Sequence, residues 1–273
     1  MTVVALLLVA ASAAPAAGAR LSVRHDVRYG ADEGEPLVAD VYRPVAGQQR
    51  RAAVITVHGG SWLYNDRGTF APVAADLARR SGFVVVNIDY PLAPAGVALQ
   101  VRQRKAVERS VHWVRAHAAA LGIDARRIGA LGGSAGGNLV GLLATGGGGS
   151  LRAGVRLAAA VTWSGQLDLE HLDRAGAINV ASYLGCDLAT CPQTWALASP
   201  IDHVSSGDTP MLMFGSRAES TPPGQATAMA RALQGAHVEA KAIILRGARH
   251  GQQYAADAMA RTIAFLKTHL ARG

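Results

Sequence analysis

Ile128-Gly129-Ala130-Leu131-Gly132-Gly133-Ser134-Ala135-Gly136-Gly137-Asn138 is the stretch whose reading decides the fold. Ile128–Leu131 is a short apolar run of the kind that forms a strand buried on both faces. The glycines after it mark a tight turn, and Asn138–Ala144 (NLVGLLA) reads as a helix. Gly132–Gly136 is a G-x-S-x-G pattern, which by itself recurs by chance in a chain rich in Gly and Ala. Its placement between a buried strand and a helix gives it meaning. A sharp strand-to-helix turn strains the serine backbone and leaves no room for side chains beside it. The helix start behind the serine favours developing negative charge. The bland alternative is a Gly-rich turn carrying an idle serine.

Outward from this turn, strand-like and helix-like runs alternate. Leu21–Tyr29 and Leu37–Arg43 alternate polar and apolar residues and read as antiparallel entry strands. Ala52–Val57 (AAVITV) and Phe83–Asp89 (FVVVNID) are strands, and Val101–Ala120 is a long amphipathic helix. Downstream, Leu157–Trp163, Pro210–Phe214 and Val238–Leu245 are strands and Gln253–Leu270 is a helix. Such alternation predicts an α/β fold, with a mostly parallel sheet and helices on both faces. Thr145–Ser150 (TGGGGS) is a surface loop rather than a domain linker, because the alternation resumes beyond it. Gly165–Thr209 is too long for a plain connection and is expected to form a cap over the site. The expected organisation is one domain over residues 20–273 with an insertion at about 165–209.

A serine at such a turn needs an oxyanion site, a base and an acid. His58-Gly59-Gly60-Ser61-Trp62 follows the Ala52–Val57 strand, where glycines let backbone N–H groups point into a site. One such donor is worth roughly 3 kcal/mol to a tetrahedral intermediate. Gly59, Gly60 and Ala135 are the candidate donors, with His58 a structural histidine bracing the loop. The serine hydroxyl is not ionised at neutral pH and requires a base. His250, in a loop between the last strand and the C-terminal helix, is the best placed of nine histidines. The orienting carboxylate should follow the end of a strand, between serine and histidine in chain order. Glu219, after Pro210–Phe214, is the natural candidate; Asp168, after Leu157–Trp163, is the rival.

With these residues in view, the chain resembles α/β-hydrolases of the esterase/lipase group, which includes the hormone-sensitive-lipase-like and feruloyl-esterase-like (BD-FAE) families. The resemblance runs from about Leu37 to Leu270 and rests on HGGSW, Asp89–Pro94 (DYPLAP), GGSAGG, Ala198-Ser199-Pro200-Ile201 and the final histidine. It implies an α/β-hydrolase fold and hydrolysis of a small-molecule carboxylic ester through an acyl-enzyme. Ser134 is then the nucleophile, His250 the base, and Gly59, Gly60 and Ala135 the oxyanion donors. No metal or organic cofactor is implied. The chain also departs from the family pattern. Pro91 replaces an arginine, Ala95 stands where a glutamate is common, and Ser61 replaces a third glycine. Ala218 occupies the usual place of the acid, with Glu219 next to it. An amide or peptide hydrolase, or a ligand-binding protein that has lost catalysis, are the alternative readings on the same scaffold.

Composition narrows the remaining classes. The 273 residues allow one large α/β unit or two small ones, and with half of them apolar and 17% charged a disordered chain is excluded. A multi-span membrane protein, a coiled coil and a collagen are excluded as well. Two cysteines cannot build a zinc ribbon or a disulfide framework. Val3–Gly18 is shorter than the ~20 residues that cross a bilayer and fits a signal peptide over residues 1–19, although no Lys or Arg precedes it. A secreted or extracytoplasmic location without a stable membrane span is therefore expected. In that setting Cys186 and Cys191 are expected to pair, for roughly 2 kcal/mol; otherwise they are two ordinary thiols. The formal charge of +8 raises a nucleic-acid binder as a rival, with Arg102, Arg104, Lys105 and Arg109 on one helix. No aromatic interleaving or known module accompanies them, so a solvated helix face is expected and no nucleic-acid partner.

Overall fold

A computed structural model describes residues 19–45, 50–94, 97 and 100–271. The expected signal peptide lies outside the described residues except for its last position, and so does Ala95. Strands β1 (Leu21–Asp32) and β2 (Glu35–Pro44) form an antiparallel hairpin, and β2 pairs antiparallel with β4 (Val84–Ile88). From β4 onward the strands are parallel: β3 (Arg51–Val57), β5 (Ile123–Gly133), β6 (Ala159–Trp163), β7 (Met211–Ser216) and β8 (Ala240–Leu245). The order across the eight-stranded sheet is β1-β2-β4-β3-β5-β6-β7-β8.

The helices are α1 (Ala71–Ser81), α2 (Gln100–Ala116), α3 (Ala118–Leu121), α4 (Ala135–Gly146), α5 (Arg174–Leu184), α6 (Pro192–Ala198), α7 (Gly224–Gly235) and α8 (Ala255–Leu270). Side chains alternate across a strand, so each central strand feeds two cores. Val54, Val85, Leu131 and Val161 pack with Leu77 of α1 and Met259 and Leu266 of α8. Ile55, Val57, Val86 and Ala130 pack on the other face with Val107 and Val111 of α2, Leu139 of α4 and Met229 of α7. Each fully buried aliphatic side chain contributes about 2 kcal/mol. The strands converge so that the C-terminal ends of β3, β5, β7 and β8 deliver their loops to one edge.

Several boundaries differ from the sequence reading. β5 begins at Ile123 rather than Ile128, because Arg51 pairs with Ile123 before a register shift. Its early residues are charged, and Arg126 satisfies Asp124 with a 2.7 Å contact at the sheet's rim. The expected helix Val101–Ala120 divides into α2 and α3 at His117, whose φ/ψ of −101°/14° is not helical, although its N–H still reaches Trp113 O at 2.9 Å. The expected helix from Gln253 starts as a 3-10 turn, Gly251–Tyr254, and becomes α-helical at Ala255. α1, α5, α6 and α7 are additional, short, alanine-containing helices that the sequence reading did not mark.

The segment between β6 and β7 carries α5 and α6. Asn138 on α4 ties it down at two points, its amide donating to Gln166 O at 2.8 Å and to Ala198 O, at the end of α6, at 2.9 Å. Cys186 and Cys191 are disulfide-bonded between α5 and α6, and the Trp195 indole donates to Cys186 O at 3.0 Å. The basic face of α2 is engaged within the fold. Arg102 bonds Asp32 at 2.8 Å, Arg104 bonds Glu108 at 3.0 Å, and Arg109 donates to Ala31 O at 2.6 Å. Two of these contacts pin the β1–β2 turn. Among the described residues no helix is long and apolar enough to cross a membrane.

Candidate active site

Ser134 sits between β5 and α4 with φ 52° and ψ −122°. A non-glycine residue there costs roughly 1–3 kcal/mol and persists only if its surroundings fix it. Two glycines make that possible. A Cβ on Gly132 would lie 2.1 Å from Gly136 O, and one on Gly136 would lie 2.3 Å from both Val57 O and His58 O. The turn is thus pressed against the end of β3. The Ser134 N–H donates to Trp163 O at 2.8 Å, which anchors the turn to β6 as well.

The β3 end continues into His58–Trp62. Gly60 has φ 126°, and a Cβ there would meet Tyr64 O at 2.2 Å. Gly60 O accepts from the N–H groups of Leu63 (3.0 Å) and Tyr64 (2.9 Å), closing the loop on itself. Ser61 and Trp62 both have positive φ, 50° and 62°. Gln103, wholly buried on α2, reaches across to hold them: its amide donates to Trp62 O at 3.0 Å and Pro91 O at 2.7 Å. His58 is buried, donates from Nδ1 to Gly59 O at 2.8 Å and stacks on Tyr90 at 4.4 Å. Burial lowers its pKa, so the imidazole is kept neutral.

His250 lies in the loop after β8, and its Nδ1 is 2.6 Å from Glu219 Oε2. The Glu219 side chain is fully buried while the His250 side chain is 28% exposed, so one edge of the imidazole is left open. The second Glu219 oxygen accepts from the Ser216 N–H at the end of β7. Two contacts fix the histidine backbone: His250 N–H donates to Gln253 Oε1 at 2.9 Å, and Gly251 N–H donates to Ser164 Oγ at 2.8 Å. Ser164 in turn lies 2.8 Å from the buried Tyr254 hydroxyl. Asp168 is engaged elsewhere, bonding the His171 imidazole at 2.9 Å and raising its pKa through that hydrogen bond. Of the two candidate acids, the structure places Glu219 against His250 and Asp168 against His171.

Ser134, His250, Gly59 and Gly60 share the wall of one cavity of about 330 Å³. Ala135 follows Ser134 at the start of α4 and is buried. Asn65, Gln166, Asn179, Thr221 and Gln252 complete the rim. These residues carry no signal in the sequence, since they come from five separate loops and helices that only tertiary packing brings together. A larger cavity, about 460 Å³, lies between Asp32–Val38 and Asp89–Pro94 and holds none of the serine, histidine or oxyanion-loop residues. Among the described residues no group of three or more His, Cys, Asp or Glu is placed to hold a metal ion.

Comparison with known proteins identifies the family. Carboxylesterase NlhH of Mycobacterium tuberculosis is 35% identical over 109 residues, 38% of this chain and 32% of its own length. The probable carboxylic ester hydrolase LipM of the same organism is 30% identical over 214 residues, 73% of this chain and 49% of its own. The chain thus spans half or less of these curated relatives. A truncated carbohydrate esterase from gut microbiota superposes with a TM-score of 0.80 at 22% identity, covering 93% of this chain and 100% of that one, which speaks for the fold. The BD-FAE family profile matches residues 39–233, most of the sequence, and the chain belongs to that family, with the α/β-hydrolase fold.

Proposed function

We propose that the protein hydrolyses carboxylic esters by an acyl-enzyme route, with Ser134 as nucleophile, His250 as base and Glu219 as the orienting acid. The observation that carries this reading is the 2.6 Å bond from His250 to a buried carboxylate, at the wall of the cavity that Ser134 also lines. A carboxylate on Nδ1 fixes the tautomer that leaves Nε2 free to accept a proton and stabilises the imidazolium that forms. Ser134 Oγ attacks the ester carbonyl as His250 takes its proton. The oxyanion is held by the N–H groups of Gly59, Gly60 and Ala135, and collapse expels the alcohol, which takes the proton from His250. Water then attacks the acyl-enzyme with His250 again as base, releasing the acid and restoring the serine.

The cavity also bears on the substrate. Its rim is made of amide and hydroxyl side chains, with Ala175 the largest purely apolar side chain among its lining residues. A long acyl chain finds no large apolar side chain there, so a short acyl group is favoured. We place the protein outside the cytoplasm, on the support of the apolar run at residues 3–18 and the Cys186–Cys191 pair.

The test is hydrolysis of p-nitrophenyl acetate and p-nitrophenyl decanoate by the full chain and by Ser134→Ala. Turnover of the acetate, weak turnover of the decanoate and a silent variant are expected. Equal rates for wild type and variant would remove Ser134 from the mechanism.

A further inference from the structure

We propose that Tyr183, on cap helix α5, is a positioning residue for the oxyanion loop. Resting on the hydrolase reading above, the inference concerns what keeps that loop in its strained shape. Ser61 and Trp62 are consecutive non-glycine residues at φ 50° and 62°. Such a pair costs roughly 1–3 kcal/mol per residue and relaxes unless neighbouring groups over-determine it. Relaxation there rotates the peptide units next to Gly60, which the hydrolase reading makes an oxyanion donor.

Trp62 is held in two ways. Its carbonyl accepts from Gln103 Nε2 at 3.0 Å and from the Ala93 N–H at 3.0 Å. Its indole is fully buried and lies flat on the Tyr183 ring, with centroids 4.2 Å apart and planes 5° from parallel. Neither the Trp62 indole N–H nor the Tyr183 hydroxyl has a hydrogen-bond partner among the described residues. The ring faces, not polar groups, therefore carry the contact. Offset or parallel stacks of this kind are worth about 1 kcal/mol beyond the area they bury.

Tyr183 is in turn fixed by its own helix. α5 begins at the Asp173 cap, where the carboxylate accepts from the Gly176 N–H at 2.8 Å. It ends at Gly185 in the left-handed conformation, one residue before the disulfide that closes Cys186 onto Cys191. The N-terminal half of the helix, through Ala175, Gly176 and Asn179, lines the cavity. One helix thus forms a wall of the site and clamps the loop beneath it. The Trp62–Tyr183 stack joins cap and oxyanion loop.

The experiment compares wild type, Tyr183→Met, Tyr183→Phe and Ser134→Ala with p-nitrophenyl acetate, below the melting temperature of each. Tyr183→Met fills much of the volume but removes the planar stack. Its kcat is expected to fall about tenfold with KM within twofold, because a misdirected donor weakens transition-state rather than ground-state binding. Affinity for a trifluoromethyl ketone, which forms a tetrahedral adduct, falls by the same factor, while acetate inhibition is unchanged. Tyr183→Phe, losing only an unbonded hydroxyl, keeps wild-type values. Tyr183→His retains a smaller ring, gives an intermediate loss and stands in if the methionine variant does not fold. A folded Tyr183→Met or Tyr183→His protein with wild-type kcat and ketone affinity overturns the proposal, as does a loss that Tyr183→Phe shares in full. Wild type without activity overturns the hydrolase reading instead, and the inference with it.

Discussion

Glu219 and His250 are 31 positions apart in the chain, yet their side chains meet at 2.6 Å with the carboxylate wholly enclosed. The enclosure matters as much as the distance. Held by the Ser216 N–H and cut off from water, the carboxylate presents one oxygen to Nδ1 in a fixed direction. Glu219→Gln keeps the shape and removes the charge, so kcat on p-nitrophenyl acetate should drop by ~10³-fold with little change in KM. Asp168→Asn, whose partner is His171, should stay within about threefold of wild type. The reverse ranking would exchange the two acids.

Gly136 tests the elbow itself. An added Cβ meets two backbone carbonyls of β3 and its exit loop, Val57 O and His58 O, at 2.3 Å. Carbonyls in a buried strand cannot swing aside as a flexible side chain can. Gly136→Ala should therefore cost at least ~3 kcal/mol and lower the melting temperature by about 10 °C. Calorimetry of the purified variant measures this, and an unchanged transition would mean that the turn is not pressed on β3.

The elbow and Glu219 were legible from sequence for a local reason: each lies within a few residues of the end of a buried apolar strand, and such strands announce themselves. Gly132-Gly133-Ser134 follows Ile128–Leu131, and Glu219 follows Pro210–Phe214 by five residues. The strand order was not legible, since β4 lies between β2 and β3 through contacts with no local signature. Gln103 and Tyr183 were hidden for the same reason. Gln103 looks like one more polar residue on an amphipathic helix, and only the path of the DYPLAP loop turns it inward to Trp62 O and Pro91 O. The basic residues of α2 stay on a solvent-facing side, Lys105 and Arg109 being exposed, while Arg102 and Arg109 also reach the β1–β2 turn.

The disulfide makes a separate prediction. Cys186 and Cys191 close a short loop at the end of α5, and loop-entropy arithmetic gives about 2 kcal/mol. The Cys186→Ser/Cys191→Ser double variant should melt roughly 5 °C lower than wild type. A reductant should bring wild type to the same value and leave the variant alone. Melting that is insensitive to reductant would indicate free thiols.

Arg67 offers a test of acid sensitivity. Its guanidinium joins Asp40 (3.0 Å), Asp89 and Asp26, and its N–H donates to Asp89 Oδ1 at 2.6 Å. Burial alone would raise the Asp40 carboxyl. The hydrogen bonds from Arg67, His25 and the Asp26 N–H outweigh it and hold the folded pKa below the ordinary value. A depressed carboxyl stabilises the fold fully above its unfolded pKa of about 3.9, and that stability is lost as pH falls through the folded pKa. Arg67→Met removes the main cation and should cost about 3 kcal/mol at pH 7, because it leaves the buried Asp40 carboxylate with only His25 and the Asp26 N–H as partners. At pH 3, below the unfolded pKa, wild type has begun to lose the stability that the depressed Asp40 carboxyl supplies, whereas the variant, without the Arg67 hydrogen bond, has less of it to lose. The gap between the two proteins should therefore narrow. Urea unfolding of both proteins at the two pH values reads the difference directly, and a gap that is constant with pH would show that Asp40 does not draw its low pKa from Arg67.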